Sequence, residues 1–196
     1  MRASRADILD TGVRTDHGDF TNRAVGGWSE GCRTGSESAC GNTWVHQGII
    51  DSSSSSCNGH GTHCASTAAG YQYGVAKAAT IVSVQVLSCS GSGSGAGVIR
   101  GIEWAVDDWR DNHQDTRCVL SMSLGGGRSA AENAAVAAAH AAGCNVVVAA
   151  GNNNGDACQK SPASAPEAIT VGSTTSSDSK SGFSNHGERA GRALQP

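Results

Sequence analysis

Short apolar runs alternate along this chain with segments of helical spacing, and glycines mark the joints between them. That alternation limits the folds open to the chain more than any other feature. Residues Ala6-Asp-Ile-Leu-Asp10-Thr-Gly12 read as a buried strand that ends at a turn. Runs at 79–87, 118–124 and 145–150, and a short one at 168–172, read as further strands. Between them, Val98, Ile99, Ile102, Val106 and Trp109 recur at helical spacing, and 130–142 is an alanine-rich helix with Gly143 as its stop. Residues 60–69 can open a helix as well. Several of the strands are continuously apolar, as strands covered on both faces are. Strands alternating with helices imply right-handed βαβ crossovers and a mostly parallel sheet, an α/β fold. Sites in such sheets gather beyond the carboxyl ends of the strands. Asp10, the glycine loop at 91–97, the glycines at 125–127 and Asn152 all fall at such ends.

Composition narrows the class. The chain has 196 residues, the size of one domain. With 16% charged and 38% hydrophobic residues it is an ordered globular chain rather than a disordered one. A formal net charge of −3 excludes a strongly basic nucleic-acid binder. No apolar run approaches the roughly 18 residues of a membrane-spanning helix. Residues 1–7 hold no apolar stretch, so no secretory signal is read there. Eight cysteines are nonetheless many for a reduced cytosolic enzyme and point to an oxidising compartment. Residues 21–59 read as irregular, and Ser52 to Ser56 as a low-complexity loop tip.

Four segments can carry chemistry. In Cys57-Asn-Gly-His60-Gly-Thr-His63-Cys64, two histidines and two cysteines invite a zinc reading. A structural zinc needs four converging ligands, and no second cluster completes them. The same segment also suits a catalytic histidine at a helix start, or histidines that merely cap the helix. Gly91-Ser-Gly93-Ser-Gly-Ala96 fits a dinucleotide-binding pattern, but the next strand ends without the acidic residue such a site uses. Asp10-Thr-Gly12 is a strand-end turn whose carboxylate can orient an imidazole. Asn152, after Gly151, can donate to a developing oxyanion or simply occupy a left-handed turn.

Taken in order, Asp-Thr-Gly, His-Gly-Thr-His, Ser-Leu-Gly-Gly and Ala-Ala-Gly-Asn resemble the subtilisin-type serine proteases, and most closely the proteinase K and aqualysin branch. Supporting stretches are Tyr73-Gly-Val-Ala-Lys77, Val86-Leu-Ser-Cys-Ser-Gly-Ser-Gly93, Ser121-Met-Ser-Leu-Gly-Gly-Gly127, Val148-Ala-Ala-Gly-Asn-Asn-Asn154, Ser161-Pro-Ala163 and Phe183-Ser-Asn185. The resemblance implies a three-layer fold, a mostly parallel sheet flanked by helices. It implies a serine endopeptidase in which Asp10 orients His60, His60 is the general base and Asn152 donates to the oxyanion. By the same resemblance, Gly91, Ser92 and Gly93 form one extended edge against a peptide substrate, and Ser123, Leu124, Gly125 and Gly126 form the other. Such strand addition draws affinity from main-chain hydrogen bonds. Ala149, Ala150 and Gly151 would border the primary specificity pocket, with room for a sizeable side chain.

The family's nucleophile lies in a Gly-Thr-Ser-Met-Ala segment, and no Gly-Thr-Ser occurs in this sequence. The match runs to about Gly187. The expected organisation is therefore a partial catalytic domain over 1–187, an insertion at about 21–56, and an unrelated tail over 188–196. As written, the chain is expected to be inactive or nearly so, and the alternative is a non-catalytic peptide-binding protein. Cys57 and Cys89 match a disulfide of the family. Cys158 matches half of a second, whose partner falls beyond the match. Cys64 matches a cysteine beneath the catalytic histidine. Cys32 and Cys40 suit a bridge within the insertion, and Cys118 and Cys144 a bridge or a close buried contact. No cofactor is required. Relatives hold calcium through carbonyls matching Pro166 and Ala168 plus an aspartate further on, and without that aspartate the site is incomplete. Polypeptide substrates, no nucleic acid or membrane, a monomer when complete and an extracellular location complete the expectations.

Overall fold

The computed structural model describes residues 3–30 and 58–188. The chain divides into two compact units, Met1–Leu120 and Ser121–Pro196.

In the first unit, β1 (Ser4–Asp10), β2 (Ala24–Ser29), α1 (His60–Ala69), β3 (Thr80–Gln85), α2 (Gly95–Asn112) and the start of β4 (Arg117–Met122) follow in order. β3 lies between β1 and β2 and is parallel to both, with Asp10 beside Gln85 and Ala24 beside Ile81. β1 is buried on both faces: Ile8 and Leu9, which point opposite ways, are 1% and 0% exposed. This burial explains why the strand reads as an unbroken apolar run. α1 turns Gly61, Ala65 and Ala69 inwards, a stripe of small residues at four-residue spacing. A Cβ on Gly61 would collide with the Gly12 carbonyl, so glycine is what lets the helix start lie against the turn after β1. Gly97, Val98, Gly101, Ile102, Ala105 and Val106 are the buried face of α2.

Two elements here differ from the sequence expectation. The glycine stretch at 91–97 was expected to be loop throughout, but α2 begins at Gly95 because the Ser94 hydroxyl accepts from Gly97 N at 3.0 Å and caps the helix. Residues 21–59 were expected to be irregular, yet Ala24–Ser29 is a strand with a register shift between Gly26 and Trp28. A Cβ on Gly27 would lie 2.6 Å from the Trp104 ring, so packing from α2 selects glycine inside that strand.

The second unit holds β5 (Gly126–Gly127), α3 (Ala130–Ala141), β6 (Asn145–Ala149), β7 (Lys160–Ser161) and β8 (Ile169–Val171). β6 and β8 are parallel, Val147 facing Ile169. β5 and β7 form a two-residue antiparallel ladder, Gly126 opposite Ser161 and Gly127 opposite Lys160. α3 is capped by Ser129, whose hydroxyl accepts from Glu132 N at 3.2 Å, and Gly143 follows its end at φ 105°. The main strand pairings of both units are thus parallel, as an α/β fold requires.

Candidate active site

Asp10 is the last residue of β1 and His60 the first of α1. His60 Nδ1 lies 2.7 Å from Asp10 Oδ1 and 2.9 Å from Oδ2. The carboxylate side chain is 1% exposed and the imidazole 45%. Local sequence builds this pair. Thr11 N donates to Asp10 Oδ1 at 2.7 Å and fixes the carboxylate from behind. The Thr11 hydroxyl donates to Asn58 O at 3.0 Å and accepts from Gly61 N at 3.1 Å, tying the strand end to the helix start. Asn58 Oδ1 accepts from His60 N at 3.0 Å, an unpaired donor of the first helical turn otherwise. A buried carboxylate on Nδ1 places the imidazole proton there and leaves Nε2 as an acceptor able to take a proton.

Cys64 lies one helical turn beyond His60, its Sγ 3.9 Å from Nδ1. Asp10, His60 and Cys64 offer three ligand atoms within 4.8 Å of one another. This cluster differs from the zinc set weighed from the sequence: His63 is not in it, and Cys57 lies outside the described residues. The imidazole nitrogen it would use is already held by the carboxylate.

The first expected substrate edge, Gly91, Ser92 and Gly93, is exposed in the first unit. Gly91 has φ 83°, and Ser88 N donates to Ser92 O at 2.8 Å, closing the turn that presents the edge. Asn58 N donates to Cys89 O at 2.9 Å, so the base of this loop is anchored two residues before His60. Cys89 is disulfide-bonded, while its expected partner Cys57 lies outside the described residues, as do Cys32 and Cys40.

In the second unit, residues 123–126 and 149–152 come together around one cleft of about 220 Å³. The residues expected to form the second edge, those expected to border the pocket and Asn152 therefore line one cleft. Gly151 has φ 106°, a conformation that favours glycine and turns the chain so that Asn152 stands exposed. Asn153 and Lys160 also line the cleft and were not expected. Lys160 immediately precedes Ser161-Pro-Ala163, a stretch that carried the resemblance, and that position was the only signal for it. Cys118 and Cys144 are each disulfide-bonded, 2% and 1% exposed. Cys158 forms no disulfide.

Calcium was the one metal the resemblance raised. Between the two carbonyl positions stands Glu167, whose buried Oε2 has no hydrogen-bond partner among the described residues. Two carbonyls and one carboxylate fall well short of the six to eight oxygens calcium takes, so these residues alone do not fit the ion.

Comparison with known proteins agrees with this geometry. The peptidase S8 model, described as the subtilase family, matches residues 6–196. Subtilisin-like protease 6 of Arthroderma benhamiae is 44% identical over 188 residues, 93% of this chain and 41% of the relative. The cuticle-degrading serine protease of Arthrobotrys oligospora is 48% identical over 180 residues, 92% of this chain and 40% of the relative. Alkaline serine exoprotease A of Vibrio alginolyticus is 44% identical over 182 residues, 93% of this chain and 30% of the relative. The chain thus spans about two fifths or less of the length of these relatives. The crystal structure of a cold-adapted subtilisin-like serine proteinase superposes with a TM-score of 0.79 at 44% identity, covering 95% of this chain and 60% of that one. A buried aspartate on a half-exposed histidine stands in a chain whose family match runs across nearly its whole sequence, and the chain belongs to the subtilase family.

Proposed function

We propose that this chain carries the base, the orienting carboxylate, the oxyanion donor and the substrate edges of a serine endopeptidase acting on polypeptides outside the cell. The observation that carries the reading is the pairing of a buried Asp10 with both oxygens on Nδ1 of a half-exposed His60. Asp10 holds the imidazole and stabilises its protonated form. His60 takes a proton from a serine hydroxyl and returns it to the leaving amine. The Asn152 amide donates to the carbonyl oxygen as charge develops on it. The glycine edges pair with the peptide main chain. Disulfides at Cys89, Cys118 and Cys144 support an oxidising location. The 196 residues contain no Gly-Thr-Ser, so the reading assigns the nucleophile to none of them.

The test uses protein isolated from its source, a peptide anilide substrate and a fluorophosphonate that labels activated serines. The expected result is hydrolysis that stops on labelling, with the label on a serine outside these 196 positions. His60→Ala should lower kcat by about 10⁶, the loss subtilisin itself shows for that change. A label on any serine within the 196 residues overturns the assignment. Peptide binding with neither hydrolysis nor label would replace it by the non-catalytic alternative.

A further inference from the structure

Among the described residues, Lys160 is the only charged one lining the cleft of the second unit, and no carboxylate lines it. Its direction follows from its neighbour. The Ser161 hydroxyl is fully buried, accepting from Ser129 N at 2.8 Å and donating to Asn133 Oδ1 at 2.8 Å, so Ser161 points into the packing around α3. Successive side chains of a strand leave on opposite faces. Lys160, extended at φ −122° and ψ 151°, therefore leaves away from α3. Across the antiparallel ladder it faces Gly127, where an added Cβ would meet nothing within 4 Å. Opposed residues of such a pair share a face, so the lysine stem rises over open space.

Among the described residues the ammonium has no partner. Lys77 donates to two carbonyls and Lys180 to three acceptors, whereas Lys160 makes no side-chain hydrogen bond or ion pair with a described residue. The remaining lining is glycine, alanine, serine, leucine and asparagine, too short or too neutral to compensate a cation. A ligand carboxylate would supply the missing charge. A ligand cation would meet a like charge in a part-desolvated cleft.

We propose that Lys160 makes this cleft a subsite for an acidic side chain, so that the peptides it takes carry glutamate or aspartate at the residue that enters it. The inference rests on the peptide-substrate reading and names the class of peptide.

The test titrates the protein as its source makes it, carrying His60→Ala so that it binds without cleaving, with fluorescent blocked hexapeptides of alanine and serine. Each carries one glutamate, at each position in turn, and each has a glutamine counterpart. At one position the glutamate peptide should bind about tenfold more tightly, the lower end of what a hydrogen bond to a charged group contributes. The preference should shrink in 1 M salt, where the Debye length is about 3 Å. Lys160→Gln should bring the two peptides to equal affinity, Lys160→Arg should keep the preference, and Lys160→Glu should transfer it to a lysine peptide. Equal affinity for glutamate and glutamine in the chain that keeps Lys160, or a preference that survives Lys160→Gln, overturns the inference and leaves the peptide reading standing. If no peptide of the set binds, both fall.

Discussion

Asn185 Nδ2 occupies the space that a Cβ on Gly151 would need, and from there it donates to Ala150 O at 2.9 Å. Its Oδ1 accepts from Asn153 N at 3.0 Å and from Gly155 N at 2.9 Å, and its own N donates to Gly151 O at 2.9 Å. One fully buried residue thus splints the chain on both sides of Asn152. Gly151 and Asn185 are two halves of one device: the glycine vacates the place that the amide fills.

Replacing Asn185 by alanine removes three side-chain hydrogen bonds and leaves two N–H groups and a carbonyl without those partners. The expected loss is about 3 kcal/mol, near one per bond. Urea unfolding should show a lower midpoint with an unchanged slope. Asn185→Asp keeps two acceptor bonds but sets a carboxylate oxygen against Ala150 O, and should also fall below the parent.

Asn152 itself stands exposed, with no hydrogen-bonding duty to the fold among the described residues. Asn152→Leu should therefore leave the unfolding midpoint within about 0.5 kcal/mol, as surface changes do. In protein from the source, it should lower kcat by about 10² to 10³ with KM nearly unmoved, as loss of this donor does in subtilisin. Steady-state kinetics on a peptide anilide decide this. A fall in affinity with kcat intact would mean that Asn152 holds ground-state substrate instead.

The Asp10 and His60 pairing was legible because each side is a short local motif, and a strand-end turn and a helix start need only a few contiguous residues. The strands were legible because burial on both faces writes itself as unbroken apolar runs, Ile8-Leu9 and Ile81-Val82 among them. β2 was not, because Ala24-Val-Gly-Gly-Trp-Ser29 holds two central glycines, and the reason for one of them, Gly27, is the distant Trp104 ring. Packing overrides local propensity there. The ladder of β5 and β7 was invisible for a simpler cause, since two residues cannot display a period. Lys160 was missed with it: whether a lysine lines a cleft depends on which face of the ladder it leaves, and only the buried hydroxyl of Ser161 settles that.

The cysteines make a chemical prediction that is independent of activity. Cys158 is half-buried and outside any disulfide, while Cys89, Cys118 and Cys144 are bonded. Iodoacetamide on the native chain should modify Cys158 and spare the other three, as read by peptide mass mapping. After reduction those three should also react, and each bridge lost should cost about 2–5 kcal/mol of stability. Alkylation of Cys118 or Cys144 without reductant would contradict the structure.

Asp7 gives the protein a pH dependence whose direction runs against the common behaviour of carboxylates. It is fully buried on β1, and burial pushes its carboxyl up to about 6 from the ordinary 3.8 despite opposing hydrogen bonds from Arg5 at 2.6 and 2.9 Å. Asp108, itself bonded to Arg5 Nη1 at 2.6 Å, raises it slightly, and His113 beyond lowers it slightly. Between pH 3.8 and about 6 the folded chain holds a proton that the unfolded chain has released. Stability from this group is therefore fully present below the unfolded value and is lost as pH rises through that window. Urea midpoints of the parent should carry this falling contribution from about pH 4 to pH 6. Asp7→Asn, which cannot titrate, should remove it, so that the difference between parent and variant changes with pH only inside the window. Breaking the pair with Arg5 is expected to lower the stability of the variant at neutral pH, because among the described residues the guanidinium then keeps only Asp108 as a carboxylate partner. The pH slope and not the absolute midpoint therefore decides the matter, and parallel pH curves for the two proteins would show that Asp7 does not titrate there.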